Sequence, residues 1–242
     1  MDRVTCFREG NSLIGLQTRK QTEGVELKLV EDFIQYYTQI FLRNNRKKNL
    51  AIFVEPKMAS GFPDVVFASY QPDSFQNWSE ARKKLCADDL RVLSYLMHAR
   101  QAKGASVIKK LRMDGSAVVT SLEKLHSADL IRLNNGLWRP NRTQDYFGIT
   151  KLVSVEAKIG SPAKAMSQSL VNTWFASHSF ALLDAAAPQT QTQRAFRERG
   201  IGIYCRGDQF YKAVDAQRLP LPSSYQSLLF NEWIGNSIHA QS

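Results

Sequence analysis

Residues 151–158, KLVSVEAK, read as a strand that a folded chain has to bury, because Leu152, Val153 and Val155 suit the interior of a sheet. Side chains alternate across a strand, so Glu156 and Lys158 project to one face of it. A carboxylate and an ammonium on a core strand are costly unless that face uses them. The strand therefore implies a sheet, one face of which either meets solvent at an edge or carries a site.

The remaining pattern says what kind of sheet. A helix is expected from Thr22 to about Asn44, with Val30, Phe33, Ile34, Tyr37, Ile40 and Phe41 as its apolar stripe. Glu26 falls near the middle of that stripe and Glu31 toward its edge. The basic loop RNNRKKN follows, then two apolar runs, LAIFV (50–54) and DVVFASY (64–70). Pro56, Gly61 and Pro63 between them mark turns, which predicts a hairpin with a long loop. After a change of pattern over residues 78–145, strands are expected at 151–158, 179–185, 201–205 and 209–214. Helices are expected to open at Pro162 and to end at Gly200. That order predicts an α/β (α+β) fold with a mixed central sheet flanked by helices.

The interrupting segment has its own logic. DDLRVLSYLMHARQ, GASVIKKLRM and DGSAVVTSLEKLHSADL read as three helices, and LIRLNNGLWRP as a hairpin turning at Asn135-Gly136. In the third helix Val118, Val119, Leu122 and Leu125 are expected to face a core, with Ser116, Thr120 and Lys124 outward. Lys109, Lys110, Arg112, Lys124, Arg132, Arg139 and Arg142 cluster around this helix and hairpin. Three helices and a two-stranded hairpin resemble a winged helix-turn-helix, which implies phosphate contacts from the basic residues and base contacts from Ser116 and Thr120. The competing reading is a small helical domain that binds protein.

The 242 residues include 32 Lys and Arg against 22 Asp and Glu, a formal net charge of +10. That excess favours a polyanionic partner, nucleic acid first. Three widely spaced cysteines and four scattered histidines offer neither a disulfide framework nor a zinc motif. No apolar run approaches the ~20 residues of a membrane span. The N-terminal residues lack the apolar segment of a signal peptide, so a soluble, cytoplasmic protein is expected.

Glu-x-Lys occurs three times, at Glu26–Lys28, Glu55–Lys57 and Glu156–Lys158, so spacing alone selects none of them. Context selects the last: Pro63-Asp64 opens an upstream strand, and a helix follows Lys158 directly. Pro63-Asp64 and Glu156-Ala157-Lys158, with Glu26 on the preceding helix, resemble the PD-(D/E)XK nuclease superfamily, the restriction-endonuclease-like fold. The likeness covers about residues 1–70 and 150–215. Gln168 stands about where some members carry a glutamine, but Asn172 stands where those members carry a tyrosine.

The resemblance implies a nuclease core over 1–77 and 146–242, with a winged helix inserted at 78–145. It implies Mg²⁺, with Mn²⁺ able to substitute, held by Asp64, Glu156 and the backbone carbonyl of Ala157. Lys158 would orient or deprotonate the attacking water, and Glu26 and Gln168 would assist. The implied activity is hydrolysis of DNA phosphodiesters by an endonuclease acting on duplex, as a homodimer or as a subunit of a larger assembly. Action on RNA or branched DNA is compatible with the same motif. The alternative is a non-catalytic DNA-binding or assembly protein on the same fold. Residue by residue, Asp64 also fits a turn position after proline, Glu156 and Lys158 a cross-strand ion pair at an edge, and Glu26 a helix N-terminal acid.

Overall fold

A computed structural model describes residues 3–19, 24–76 and 78–240. In chain order it begins with β1 (Val4–Phe7), α1 (Val25–Asn44), β2 (Asn49–Val54) and β3 (Val65–Tyr70). Next come α2 (Ala87–Ala99), α3 (Gly104–Leu111), α4 (Gly115–Ser127), β4 (Ile131–Asn134), β5 (Leu137–Pro140) and α5 (Thr143–Tyr146). The chain continues with β6 (Ile149–Lys158), α6 (Pro162–Asn172), β7 (His178–Leu183), α7 (Thr190–Glu198), β8 (Gly202–Arg206), β9 (Phe210–Val214) and α8 (Tyr225–Ala240). The expected helix start at Thr22 lies outside the described residues. Two compact units result: Met1–Gln71 with Ile149–Ser223, and Pro72–Gly148 with Ser224–Ser242.

The first unit is a mixed seven-stranded sheet in the order β1-β2-β3-β6-β7-β8-β9, flanked by helices. Strands β2, β3 and β6 are antiparallel neighbours, while β6, β7 and β8 run parallel through the helical crossovers α6 and α7. On one face, Leu29, Val30, Phe33, Ile34 and Phe41 of α1 pack on Ile52, Phe67, Val153, Val155 and Ala157. On the other, Ala165 of α6 and Phe196 of α7 pack with Ala181, Leu183, Ile203 and Cys205. Both faces of β6 are covered, so the carboxylate of Glu156 is internal and does not sit on a solvated edge. Strand β1 was not expected: VTCF is too short to show a pattern. It exists through parallel pairing with β2 and through Phe7 stacking on Phe53 at 4.8 Å.

The second unit has the three helices and hairpin that the sequence indicates. Asn135 and Gly136 take the positive φ angles, 49° and 73°, that a tight two-residue turn demands. Asp114 caps α4, its carboxylate accepting from the amides of Ser116 at 2.9 Å and Ala117 at 3.2 Å. The core joins Leu90, Leu93 and Leu96 of α2 to Val118, Leu122 and Leu125 of α4, whereas Val119 is 51% exposed and faces away from it.

The boundaries differ from the sequence reading: the inserted stretch runs from Pro72 to Gly148 and not over 78–145, and residues 224–242, left with the sheet by that reading, join it. Helix α8 belongs to the second unit, because Leu228 packs into that unit's core and Tyr225 and Leu229 lie against it. A buried ion pair adds to this: Arg82 donates to Glu232 through Nε at 3.1 Å and Nη2 at 2.8 Å, and lies 4.0 Å from the Trp78 ring centroid. Gly235 approaches the same ring so closely that a Cβ there would sit 2.1 Å from it. Removing one partner of a buried pair strands the other charge. Glu232→Ala is therefore expected to cost about 3–5 kcal/mol in urea unfolding; a loss within about 0.5 kcal/mol, the range of surface substitutions, would contradict a structural role for this pair.

Candidate active site

Register builds the site. Val65 pairs with Val155, so one further step sets Asp64 opposite Glu156, and opposed residues of an antiparallel pair share a face. The Asp64 carboxylate is pinned there by the Ala157 amide, which donates to Oδ2 at 2.7 Å. The hairpin brings a third acid: Val54 pairs with Val65, and the Glu55 amide donates to the Asp64 carbonyl at 3.0 Å. Three neighbouring strand ends thus deliver Glu55, Asp64 and Glu156 to one level of the sheet.

Glu156 is 3% exposed. Its Oε1 accepts from the side-chain amide of Asn172 at 2.6 Å, while Oε2 is buried with no hydrogen-bond partner. Burial first, then the Asp64 charge, pushes its carboxyl up to about 8. Burial also raises Asp64, against the opposing pull of the Ala157 amide and Lys158. Both carboxyls are thus held above their ordinary range, and at neutral pH Glu156 favours the protonated form until a cation compensates its charge.

Lys158 supplies a positive charge from the end of β6. Its ammonium donates to Glu26 Oε2 at 3.0 Å and to the Ala157 carbonyl at 2.8 Å, and lies 3.9 Å from Asp64 Oδ2. Beyond it Gly160, with a φ of 69°, turns the chain and Pro162 opens α6. Glu26 departs from the sequence reading. It sits in the exposed first turn of α1, not on the core-facing stripe, and its charge is met by Lys158 and by the Ile159 amide at 3.3 Å.

On α6 the buried residues are Ala165, Ser169 and Asn172, and Gln168 points to solvent. The expected assisting role of Gln168 is therefore not supported by its position, and the α6 side chain that reaches Glu156 is Asn172, one turn later. Two further residues escaped the sequence reading, Arg19 and Glu55. Arg19 Nε donates to Glu55 Oε1 at 3.0 Å, and Nη2 donates to the same oxygen. Beside them a cavity of about 230 Å³ is lined by Arg19, Glu26, Val30, Val54, Glu55 and Asp64. Glu55 was legible in principle, since a hairpin that pairs 54 with 65 must bring 55 to 64.

Among the described residues, no group of three His, Cys, Asp or Glu side chains is placed to hold a metal by itself. What the site offers is two adjacent carboxylates, one with an orphaned oxygen, beside the Ala157 carbonyl. That donor set suits Mg²⁺, which takes oxygen ligands, keeps several waters and needs one or two carboxylates.

In the second unit, Lys109, Lys110, Arg112, Thr120 and Arg142 are exposed. Others are already engaged. Lys124 lies 3.4 Å from buried Asp89, which also accepts from the Ser121 hydroxyl at 2.7 Å. The Ser116 hydroxyl donates to Asp114 and belongs to the helix cap. Arg132 donates to Asn141 at 3.1 Å, and Arg139 is partly buried. No described helix is long and apolar enough to cross a membrane.

No family model, curated protein or solved structure matches the chain.

The raised Glu156 carboxyl has a signed consequence. A folded-state value of about 8, above the 4.5 of a free glutamate, contributes stability that is complete below about pH 4.5 and lost as pH rises through 8. Without divalent ions, the melting temperature is expected to fall across that window, and Glu156→Gln is expected to flatten the fall. Parallel pH profiles for the two proteins in a thermal melt would refute the assignment.

Proposed function

We propose that the protein is a metal-dependent endonuclease that hydrolyses DNA phosphodiester bonds, built on a restriction-endonuclease-like sheet of the PD-(D/E)XK type. The observation that carries this reading is the meeting of Asp64, Glu156 and Lys158 at one end of the sheet's central strands, which are separated by 78 residues of sequence between Tyr70 and Ile149. An edge ion pair does not account for it, because Lys158 pairs with Glu26 and Asp64 while Glu156 is buried with an oxygen left over.

Asp64, Glu156 and the Ala157 carbonyl would hold Mg²⁺, or Mn²⁺ in its place. A bound divalent ion offsets phosphoryl charge and lowers the pKa of water. The protein groups do the rest. Asn172 fixes the Glu156 carboxylate by holding Oε1, which leaves Oε2 as the donor. The Ala157 amide fixes Asp64 in the same way. The Lys158 ammonium, held between Glu26 and the Ala157 carbonyl, orients the attacking water and stabilises charge that builds on the non-bridging phosphate oxygens. The water oxygen forms a bond to phosphorus, the bond to the leaving ester oxygen breaks, and that oxygen takes up a proton.

We read the second unit as a winged helix that contacts duplex DNA. Its support is the run of exposed cations at Lys109, Lys110 and Arg112, with Arg142 beyond the hairpin. Lys124 and Ser116 are not counted among its DNA contacts, since Asp89 and Asp114 engage them.

Two measurements test the reading. With Mg²⁺ or Mn²⁺, wild-type protein is expected to nick or cut plasmid DNA, and Asp64→Ala and Lys158→Ala to lose at least about 100-fold in rate. Mutants that cut like wild type would end the site assignment, and tight metal-independent binding without cleavage would favour a non-catalytic DNA-binding protein. For the second unit, the Lys109→Ala, Lys110→Ala double variant is expected to lower the slope of log K against log salt by about 1.8, roughly 0.9 per phosphate contact. An unchanged slope would remove these lysines from the DNA interface.

A further inference from the structure

The cavity beside the carboxylates contains one guanidinium, and its setting is unusual. Arg19 stands over the end of β2, its amide donating to the Glu55 carbonyl at 3.1 Å and its side chain to the Glu55 carboxylate. The guanidinium carbon lies 5.7 Å from the Phe62 ring centroid. Its side chain is nevertheless 48% exposed, while that of Glu55 is 11% exposed. Glu55 is the anchored partner and Arg19 the presented one.

Glu55 is also strained. It precedes Pro56, which biases a residue toward extended backbone, yet it takes a φ of +46°. Left-handed backbone at a non-glycine residue persists only where the surroundings enforce it, and such residues gather at functional sites. One oxygen of the carboxylate holds Arg19, and the other is buried without a partner. A surface ion pair that merely tacked down residues 16–19 would need neither the strain nor the orphaned oxygen.

The charges define a task. Glu26, Glu55, Asp64 and Glu156 face two cations, Lys158 and Arg19. Even with a divalent ion bound these groups only balance, so a phosphodiester adds negative charge that nothing yet offsets, and Lys158 is already tied to Glu26 and the Ala157 carbonyl. A guanidinium presents its donors in a rigid planar fork matched to phosphate oxygens.

We propose that Arg19 is a catalytic phosphate clamp, contacting the non-bridging oxygens of the scissile phosphate, and that Glu55 is the residue that positions it. This rests on the nuclease reading above. Glu55 fixes the fork at the cavity mouth, so the cation is in place before substrate arrives and little side-chain entropy is lost when it binds.

The test uses full-length protein and Mg²⁺-dependent plasmid nicking, with kcat and KM measured for wild type, Arg19→Ala, Arg19→Lys and Glu55→Gln. Arg19→Ala is expected to lower kcat about 100-fold with KM changed less than about threefold, as for loss of one transition-state donor. Arg19→Lys, which keeps the charge but not the fork, is expected to recover only a minor part. Millimolar guanidinium chloride is expected to restore kcat in Arg19→Ala and to leave Asp64→Ala inactive. Glu55→Gln is expected to lower kcat less than Arg19→Ala, and to add little when combined with it. Wild-type cleavage that Arg19→Ala leaves intact would overturn the clamp alone, as would a loss that guanidinium does not rescue in a variant whose melting temperature has dropped. A wild-type protein that cleaves nothing with either metal would bring down the nuclease reading and the clamp with it.

Discussion

Everything at the candidate site depends on β3 pairing antiparallel with β6. These strands are far apart in sequence, and their register sets Val65 on Val155 and therefore Asp64 on Glu156. A slip of one residue would turn the Glu156 carboxylate to the α1 face and set Val155, an apolar side chain, where the site needs an oxygen. The register is locked from both faces. Phe67, Val153 and Val155 are packed under α1, and on the other side the buried hydroxyl of Ser154 meets that of Ser179 of β7 at 3.1 Å, which holds the facing of β6 itself. The hydrogen bond from Ala157 to Asp64 is the last link of that pairing, so the geometry of the acids follows from the sheet itself.

The electrostatics then explain why these acids suit a cation. Burial disfavours ionisation of both carboxyls; the Asp64 charge adds to this at Glu156, and the charges of Glu55 and Glu26 add to it at Asp64. A fold that used Glu156 only for packing would pair both of its oxygens, as Glu232 does in the second unit, where Arg82 takes one with Nε and the other with Nη2. The Glu156 site instead fixes one oxygen through Asn172 and leaves the second bare. Lys158 does not neutralise it directly, being held by Glu26 and by backbone. The arrangement withholds compensation from the carboxylates and keeps the ammonium close by. It is stable protonated at low pH and suited to a divalent ion near neutrality.

The sequence disclosed the layers of this fold and missed specific partners, for separable reasons. Strand β6 and helix α1 carry strong periodic signals because each buries a wide apolar face. The hairpin at Asn135-Gly136 was legible because only a few residues tolerate two successive positive φ angles. Strand β1 has four residues and no periodicity of its own, so its existence is tertiary. Gln168 and Asn172 lie one turn apart on the same helix, and the rotation that buries Asn172 is set by Ala165 and Ser169 packing on the sheet. Arg19 could not be placed at all from local pattern, since it reaches the site only through the bridge between Thr18 and Pro56 and the bond from its amide to Glu55. Helix α8 was misassigned because its partners, Arg82 and the core of α2 and α4, lie roughly 100 to 150 residues earlier in the chain.

The same pairing shows why the sheet tolerates residues 72–148, the larger part of the second unit, between β3 and β6. Tyr70 ends β3 and Ile149 begins β6, and these two residues are cross-strand partners. Opposed Cα atoms in an antiparallel pair lie about 4.5–5.5 Å apart. The chain therefore leaves the sheet and returns to it at nearly one point, as at the mouth of a hairpin. Any body whose own ends lie that close can occupy the hairpin loop without straining the register, because loop-closure entropy grows only slowly with length. The acids lie at the far end of the paired strands, at Asp64 and Glu156, five residues or more from that mouth. Insertion at one end and carboxylates at the other leave the intervening pairs, from Val65–Val155 to Ser69–Lys151, to hold the site in register.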